Sequence, residues 1–294
     1  MAIPATTPMA ASRTGWDRLW LEVTRRCQLE CGHCYNASGP RSSSGRMTSA
    51  DWHRVVDQAA DLGVRDVCVI GGEPTLYPGL ATLINHAIGV GLGVEVYSNL
   101  VRISDDLWRV LAQDGVRLAT SWYSDDPEQH LAITGRPTWR QTRANIDRAA
   151  ELGVPLRVGM VQVLGEQRVV QARDQLRSMG VTDVSTDRAR SIGRAAESGV
   201  DAFGELCGRC GDGRAAVGPD GDVWLCVMAR SVSAGNVRDS ALGDVLSGQA
   251  WRELRARVSR SALDDSGCKP NLDSGDCAPA ETESCNPSYC NPDR

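Results

Sequence analysis

The sequence predicts an α/β fold built on a parallel sheet, followed by a small cysteine-rich region. Strand-like and helix-like segments alternate through the first two-thirds of the chain, which is typical of parallel βαβ units. The chain has 294 residues, 41% of them apolar, which is enough for a full-sized core. Three cysteines lie within residues 27–34 and seven lie after residue 206, so the two ends differ in character from the middle.

Six strand-like segments alternate with five amphipathic helix-like segments between residues 19 and 186. Thr48 or Ser49 can cap the first helix, and Gly63, Gly115 and Gly153 follow predicted helix ends. Six strands are too few for a closed eight-stranded barrel, so an open, partial barrel or a doubly wound sheet fits. The predicted strands are residues 19–24, 66–71, 94–98, 116–121, 156–163 and 183–186. The predicted helices are residues 49–62, 78–90, 105–113, 138–152 and 167–179.

The pattern changes after about residue 188, where a small, polar connection begins. Residues 214–217 and 223–228, joined by Pro219-Asp220-Gly221, predict a β-hairpin, and residues 239–258 predict one amphipathic helix. The last 30 residues hold hardly any aliphatic side chains, so burial cannot order them: either they are disordered or their cysteines hold them through a metal. We therefore expect a flexible tail over residues 1–15, a first domain over 16–190 and a second over 191–294.

The charge and hydropathy patterns exclude several classes of partner. The 32 basic and 37 acidic side chains leave a net charge of −5, which argues against nucleic-acid binding. The chain has no run of about 18 uncharged apolar residues, so we expect no membrane association. Its first 15 residues lack the basic-then-apolar order of a secretory signal, and we expect a cytoplasmic protein.

The cysteine count favours metal ligation over disulfides. The chain has 11 cysteines, no export signal and enough length to fold without disulfide staples. Cys68, inside the apolar run Val67-Cys68-Val69-Ile70, is expected to be a buried small side chain. The other ten fall into the two terminal groups, which predicts separate metal sites.

The first group is Cys27-x3-Cys31-x2-Cys34, directly after the first predicted strand. A loop at the carboxyl edge of a parallel sheet is where α/β folds place their sites. Three thiolates suit a [4Fe–4S] cluster that keeps one iron open, whereas structural zinc needs four ligands. The alternative is a zinc knuckle that takes His33 as its fourth ligand.

This motif, followed by Gly71-Gly72-Glu73-Pro74 after the second predicted strand, resembles that of radical S-adenosylmethionine (SAM) enzymes over roughly residues 18–190. The resemblance implies a partial (β/α)6 TIM-like barrel whose open iron is chelated by SAM. It implies that Gly71, Gly72, Glu73 and Pro74 meet the SAM amino group, with Glu73 supplying a negative charge beside it. Asn99 and Ser121, after the third and fourth strands, are expected near the SAM ribose and carboxylate.

The second group of cysteines straddles the predicted hairpin and continues to the end of the chain. Cys210-x10-Gly221-x4-Cys226 resembles the start of the SPASM or twitch auxiliary-cluster region, which implies a small C-terminal domain of a β-hairpin plus a helix. The later spacing departs from the usual SPASM pattern, which leaves the ligand grouping open. Two auxiliary [4Fe–4S] clusters, a single cluster with spare thiols, and a zinc ribbon are the alternatives. The candidate ligands are Cys207, Cys210, Cys226, Cys268, Cys277, Cys285 and Cys290.

The resemblance implies an enzyme that cleaves SAM to a 5′-deoxyadenosyl radical and abstracts hydrogen from its substrate. The auxiliary region is similar to that of maturases that crosslink side chains of ribosomally made precursor peptides through carbon–carbon, ether or thioether bonds. Expected partners are the precursor peptide, an electron donor such as flavodoxin or ferredoxin, and a separate leader-peptide-binding protein. The alternatives are a dehydrogenase or epimerase of a small metabolite such as an aminocyclitol, and an iron–sulfur scaffold or electron carrier.

Overall fold

The computed structural model describes residues 15–258, in which nine strands form a single sheet in the order β6-β5-β4-β3-β2-β1-β7-β8-β9. Strands β1 to β6 pair in parallel, each with the next, and β7 pairs in parallel with β1. Strand β8 pairs antiparallel with β7, and β9 pairs antiparallel with β8. The strands are β1 (Arg18–Glu22), β2 (Asp66–Ile70), β3 (Gly93–Tyr97), β4 (Val116–Ser121), β5 (Leu156–Gln162), β6 (Asp183–Arg188), β7 (Arg214–Val217), β8 (Asp222–Trp224) and β9 (Gly235–Asn236).

Eight α-helices accompany this sheet, and most of them cross over between consecutive parallel strands. They are α1 (Ser49–Asp61), α2 (Leu80–Gly89), α3 (Asp105–Leu111), α4 (Pro127–Thr134), α5 (Trp139–Glu151), α6 (Val169–Ser178), α7 (Leu242–Ser247) and α8 (Gln249–Arg257). None of the helices within residues 15–258 is long and apolar enough to cross a bilayer. The predicted α/β class, with a partial barrel of six parallel strands, is confirmed.

Two of the helix predictions need correction. Helix α4 was not predicted, although Asp126 caps it by accepting the amide protons of Glu128 and Gln129, and Pro127 occupies its first position. The single helix predicted over residues 239–258 is two helices, because Gly248 has extended backbone angles and separates α7 from α8.

The second strand of the predicted hairpin is also shorter than expected. It ends at Trp224, because the chain then enters turns that carry Cys226, and a further short strand, β9, pairs with it. Strand β7 pairs in parallel with β1, placing Arg214 beside Arg18 and Val217 beside Leu21. The hairpin therefore continues the barrel sheet, and the domain division between residues 190 and 191 stays a prediction.

The core is formed by strand side chains and by the apolar stripes of the helices. Helix α1 shows the principle: its Thr48–Asp51 capping box sets the start, and it buries Trp52, Val55, Val56 and Ala59. These positions recur at helical spacing, so one face of the helix meets the sheet. Cys68 is fully buried in β2, as predicted.

A buried ion cluster lies inside the barrel on strands β1, β3 and β5. The Glu95 carboxylate accepts hydrogen bonds from Arg157 Nη2 at 2.8 Å and from Arg18 Nη1 at 3.2 Å. Burial alone would raise the pKa of Glu95, but the two guanidinium groups, Arg157 first, lower it to about 2. The cluster therefore joins three strands that are not consecutive in the sheet.

We predict that Glu95→Gln strongly destabilises the fold. The substitution keeps the shape but takes the negative charge from beside Arg18 and Arg157, and removing one partner of a buried ion pair costs about 3–5 kcal/mol. The melting temperature should fall by roughly 10 °C, at about 2–4 °C per kcal/mol for a chain of this size. In the matched control, Asp106→Asn, an exposed pair with Arg109 is lost, and the expected change is under about 2 °C. Equal melting temperatures for the two variants would contradict this role of Glu95.

Candidate functional site

The predicted ligand residues of the first cysteine group come together at the carboxyl ends of the parallel strands. Cys27, Cys31 and Cys34 lie in the loop after β1 and line one cavity. The same cavity is lined by predicted cofactor-binding residues from the ends of β2, β3 and β4: Gly71, Gly72, Asn99 and Ser121. Four consecutive strands therefore contribute to a single pocket, as a parallel sheet requires.

The backbone of the cysteine loop is held by a helix that the sequence analysis missed. The amides of Glu30 and Gly32 donate to the carbonyl oxygens of Thr134 and Ile133, at 3.0 and 3.3 Å. Both carbonyls belong to the last turn of α4, where helix carbonyls have no partner within the helix. The loop amides thereby bind carbonyl groups that have no partner within the helix, and these hydrogen bonds hold the loop and the end of α4 together.

The three thiols of this loop are poorly solvated. Burial raises the pKa of all three cysteines, to about 12 for Cys31. The Cys27 sulfur accepts weak hydrogen bonds from the Leu29 amide at 3.4 Å and from Asn99 Nδ2 at 3.6 Å. Buried thiolates of this kind need compensating positive charge, and thiolate donors select iron–sulfur clusters or zinc. The donor set therefore fits an iron–sulfur cluster that replaces the thiol protons.

His33 is engaged elsewhere, which bears on the zinc alternative. Its Nε2 lies 3.1 Å from the Tyr123 hydroxyl, and the two rings meet edge to face with centroids 5.1 Å apart. Burial lowers the pKa of His33 to about 4, so the ring is neutral at pH 7. In the described part of the chain, no three His, Cys, Asp or Glu side chains converge on a point that could hold one metal ion.

The two glycines after β2 allow a very close approach to the segment after β1. A Cβ atom on Gly71, whose φ is +147°, would lie 2.5 Å from the Thr24 carbonyl oxygen. A Cβ atom on Gly72 would lie 2.4 Å from the Arg26 carbonyl oxygen. The Gly72 amide donates to Thr24 at 2.7 Å, so the two loops are joined by hydrogen bonds as well as by contact.

The Glu73 side chain links the residues after β2 to those after β3. Its carboxylate is fully buried and accepts hydrogen bonds from the Ser98 hydroxyl at 2.7 Å, the Asn99 amide at 2.8 Å and the Thr75 amide at 3.0 Å. Burial raises its pKa, while these donors oppose the shift. Glu73 thereby holds the backbone that presents Asn99, and its contact with the SAM amino group stays a prediction. Pro74 begins the short 3₁₀ turn that follows.

Further polar side chains complete the cavity wall, and two of them, Asn36 and Tyr123, were missed by the sequence analysis. The Tyr97 hydroxyl lies 3.1 Å from Ser121 Oγ, and Tyr123 lies two residues farther along the chain. Asn36 Nδ2 donates to the Gly71 carbonyl at 3.0 Å, which connects the cysteine loop to the glycines. Tyr123 follows the end of a predicted strand, which was the one signal that could have singled it out.

Three cysteines of the second group also come together. The Cys210 and Cys226 sulfurs are 2.9 Å apart, and side-chain interactions with Cys207 and Cys226 raise the pKa of Cys210 well above its usual value. Cys210 and Cys226 are buried, whereas Cys207 is partly exposed. The remaining predicted ligands lie outside the described residues: Cys268, Cys277, Cys285 and Cys290.

A partly buried ion pair connects the two cysteine regions. Arg230, four residues after Cys226, donates to the Glu22 carboxylate at 2.7 Å, and Glu22 ends β1 just before the first cysteine loop. The Arg230 guanidinium also lies over the rings of Trp224 and Tyr35, at 4.7 and 5.7 Å from their centroids. The hairpin region thus supports the base of the first loop.

Comparisons with known proteins agree with this arrangement. Residues 21–169 match the family described as the radical SAM superfamily, which is half of the chain, and residues 207–272 match the SPASM iron–sulfur cluster-binding domain. The second match contains the three cysteines that meet in the hairpin region. The first contains the cysteine loop and the strands that form the cavity.

The chain is similar to curated peptide-modifying proteins. It is 34% identical to the PqqA peptide cyclase of Bradyrhizobium diazoefficiens over 96 residues, which are 33% of this chain and 25% of that protein. It is 27% identical to the mycofactocin maturase MftC of Mycobacterium tuberculosis over 292 aligned positions, covering 84% of this chain and 74% of that protein. The chain thus matches only about a quarter of the cyclase but most of the maturase.

Among solved structures, SuiB of Streptococcus suis bound to precursor peptide SuiA has a TM-score of 0.71 at 18% identity, covering 83% of this chain and 67% of that chain. The anSMEcpe structure with bound AdoMet has a TM-score of 0.61 at 14% identity, covering 81% and 82%. These likenesses concern the fold. Together with the family match over the cysteine loop and barrel, they lead to one assignment: this chain belongs to the radical SAM superfamily and carries a SPASM iron–sulfur region.

Proposed function

We propose that this protein is a radical SAM maturase that modifies a ribosomally made precursor peptide by forming a side-chain crosslink. The observation that carries the proposal is the single cavity shared by Cys27, Cys31 and Cys34 and the ends of β2, β3 and β4. When bound, the cluster and SAM supply hydrogen-atom abstraction from an unreactive carbon, started by one-electron reduction of SAM. The protein supplies positioning and exclusion of water.

Each side of the cavity has a proposed task. The three cysteines hold a [4Fe–4S] cluster, with one iron left for SAM. Gly71 and Gly72 offer backbone to SAM, and Asn99 and Ser121 offer polar side chains to it. Glu73 and Pro74 shape the loop from behind, because Glu73 anchors the Asn99 backbone at 2.8 Å. The neutral His33–Tyr123 pair gives this wall a fixed orientation.

The substrate class is supported by the names of the relatives and by the chain's own auxiliary region. A peptide cyclase, a mycofactocin maturase and a structure with a bound precursor peptide are all among its matches. The convergence of Cys207, Cys210 and Cys226 supports an auxiliary cluster, and we propose two [4Fe–4S] clusters once the later cysteines are counted. A flavodoxin or ferredoxin as electron donor and a separate leader-peptide-binding protein complete the proposal, which places the enzyme in the cytoplasm.

The proposal is tested by looking for a short peptide encoded next to the gene and incubating it with SAM, a reductant and the anaerobically reconstituted enzyme. We expect the peptide to lose two hydrogen atoms by mass spectrometry. When the peptide is deuterated at the modified carbon, we expect deuterium in the 5′-deoxyadenosine. An unchanged peptide alongside 5′-deoxyadenosine formation would refute the peptide substrate, although not the membership of the family.

Replacing Cys27, Cys31 and Cys34 together with Ala should abolish 5′-deoxyadenosine formation, because no thiolate remains for the first cluster. Iron analysis should show a loss of about four iron atoms per chain, with the auxiliary iron retained. Cys68→Ala is the matched control, since Cys68 is a buried cysteine in β2, and it should keep both iron and product. Product formation by the triple variant would contradict the ligand assignment.

Glu73→Gln should weaken SAM binding by about tenfold while leaving the iron content unchanged. The amide cannot accept hydrogen bonds from three donors as the carboxylate does, so the Asn99 backbone shifts, and supporting partners of this kind are typically worth about 10–100-fold. Equilibrium binding of SAM to the reconstituted protein measures the effect. Parental affinity would show that the Asn99 backbone does not depend on Glu73.

A further inference from the structure

The connection after β6 crosses the first cysteine loop and touches it closely. The sequence analysis treated this part of the chain as a small polar linker. In the structure, Ile192 is buried, and the residues Gly193–Ala195 form one 3₁₀ turn directly against the loop. We call residues 192–195 the strap.

The contacts of the strap converge on one side chain, Arg194. Its backbone amide donates to the Cys34 carbonyl oxygen at 2.9 Å. Its guanidinium donates to the Ser38 carbonyl oxygen at 2.6 Å through Nη2, and to the Cys31 carbonyl oxygen through Nη1. One residue therefore holds three backbone carbonyls of the loop, more than 150 residues away in sequence.

The residue before it shows how close the approach is. Gly193 has a φ of +67°, and a Cβ atom there would lie 2.1 Å from the Tyr35 carbonyl oxygen and 2.4 Å from that of Cys34. Both the conformation and the space exclude other side chains without a shift of the backbone. The strap is thus fitted to the loop, and Arg194 is carried to its carbonyls by that fit.

The positive charge of Arg194 also lies next to the cysteine loop. The guanidinium lies against the loop between two of its cysteines, because it donates to the Cys31 carbonyl oxygen while the Arg194 amide donates to that of Cys34. Arg136 provides a contrast: it also lies beside the loop, but its Nη2 binds the Glu30 carboxylate at 2.7 Å. The Arg194 guanidinium instead meets backbone carbonyls of the loop, so no carboxylate partner neutralises its charge in the contacts that it makes there.

We propose that Arg194 is a positioning residue for the first iron–sulfur cluster: it fixes the loop carbonyls between the cysteines and offsets the negative charge of the bound cluster. The inference rests on the cluster assignment to Cys27, Cys31 and Cys34, and it does not depend on the substrate. The fixed loop slows the loss of iron. The nearby cation favours the reduced cluster, because net charge around a cluster sets its potential.

The test uses the full-length, anaerobically reconstituted protein without SAM or peptide. Iron release to a chelator and the midpoint potential from EPR-monitored titration are measured for the parent, Arg194→Met and Arg194→Lys. The iron of the first cluster is obtained by subtracting the values of the triple cysteine variant. Arg194→Met should release this iron at least about tenfold faster, as expected for loss of an outer-shell partner, and its potential should be more negative.

The other variants separate the fit of the strap from its charge. Arg194→Lys keeps the charge and the backbone amide, but its single ammonium group cannot span the Cys31 and Ser38 carbonyls, so it should release iron faster at a potential close to that of the parent. Gly193→Ala keeps the arginine and displaces the strap, so it should also release iron faster. Arg136→Gln is the matched control and should behave as the parent.

Parental release rates in all Arg194 and Gly193 variants, or the same potential in Arg194→Met as in the parent, would overturn the proposal. Because neither measurement involves peptide, failure of the maturase assay leaves this result intact.

Discussion

The burial of three thiols in one short loop is the constraint on which the rest of this structure depends. Burial raises the pKa of Cys27, Cys31 and Cys34, so bare thiolates are costly there, and the cluster that we propose would offset that cost. A loop of this kind has few apolar side chains with which to order itself. Its backbone is held from outside, by the end of α4 and by the strap around Arg194.

The position of β1 explains how both cysteine regions meet. This strand pairs in parallel with β2 on one side and with β7 on the other. The first cysteine loop leaves its carboxyl end, and the second cysteine region follows the hairpin that β7 begins. The Glu22–Arg230 ion pair then bridges the two regions at 2.7 Å, and because Glu22 is buried, its carboxylate needs this close partner to offset its desolvation. A shared strand thus places the auxiliary region next to the first loop.

Close packing of backbone against backbone matters as much as charge around the cavity. Gly71, Gly72 and Gly193 each stand where a Cβ atom would meet a backbone carbonyl within about 2.5 Å, so three loops from distant parts of the chain pack backbone to backbone. Glu73 illustrates the same principle for a polar group, because its carboxylate ties β2 to the residues after β3. The cavity wall is therefore built from main chain that is locked from behind, which is how a site acquires a fixed shape.

The sequence by itself determined the alternation of strands and helices, the cysteine loop after the first strand and the glycines after the second, because these depend on local periodicity and spacing. It indicated a parallel sheet, and hence that the ends of its strands would meet. The roles of Glu73, Arg194 and Arg230 were decided only by the tertiary structure. Their partners lie between about 25 and 210 residues away in the chain, and a charged or glycine residue in a linker has no local pattern that reveals such a partner. Helix α4 and the break at Gly248 were missed for a related reason: short helices depend on their caps and on packing more than on periodicity.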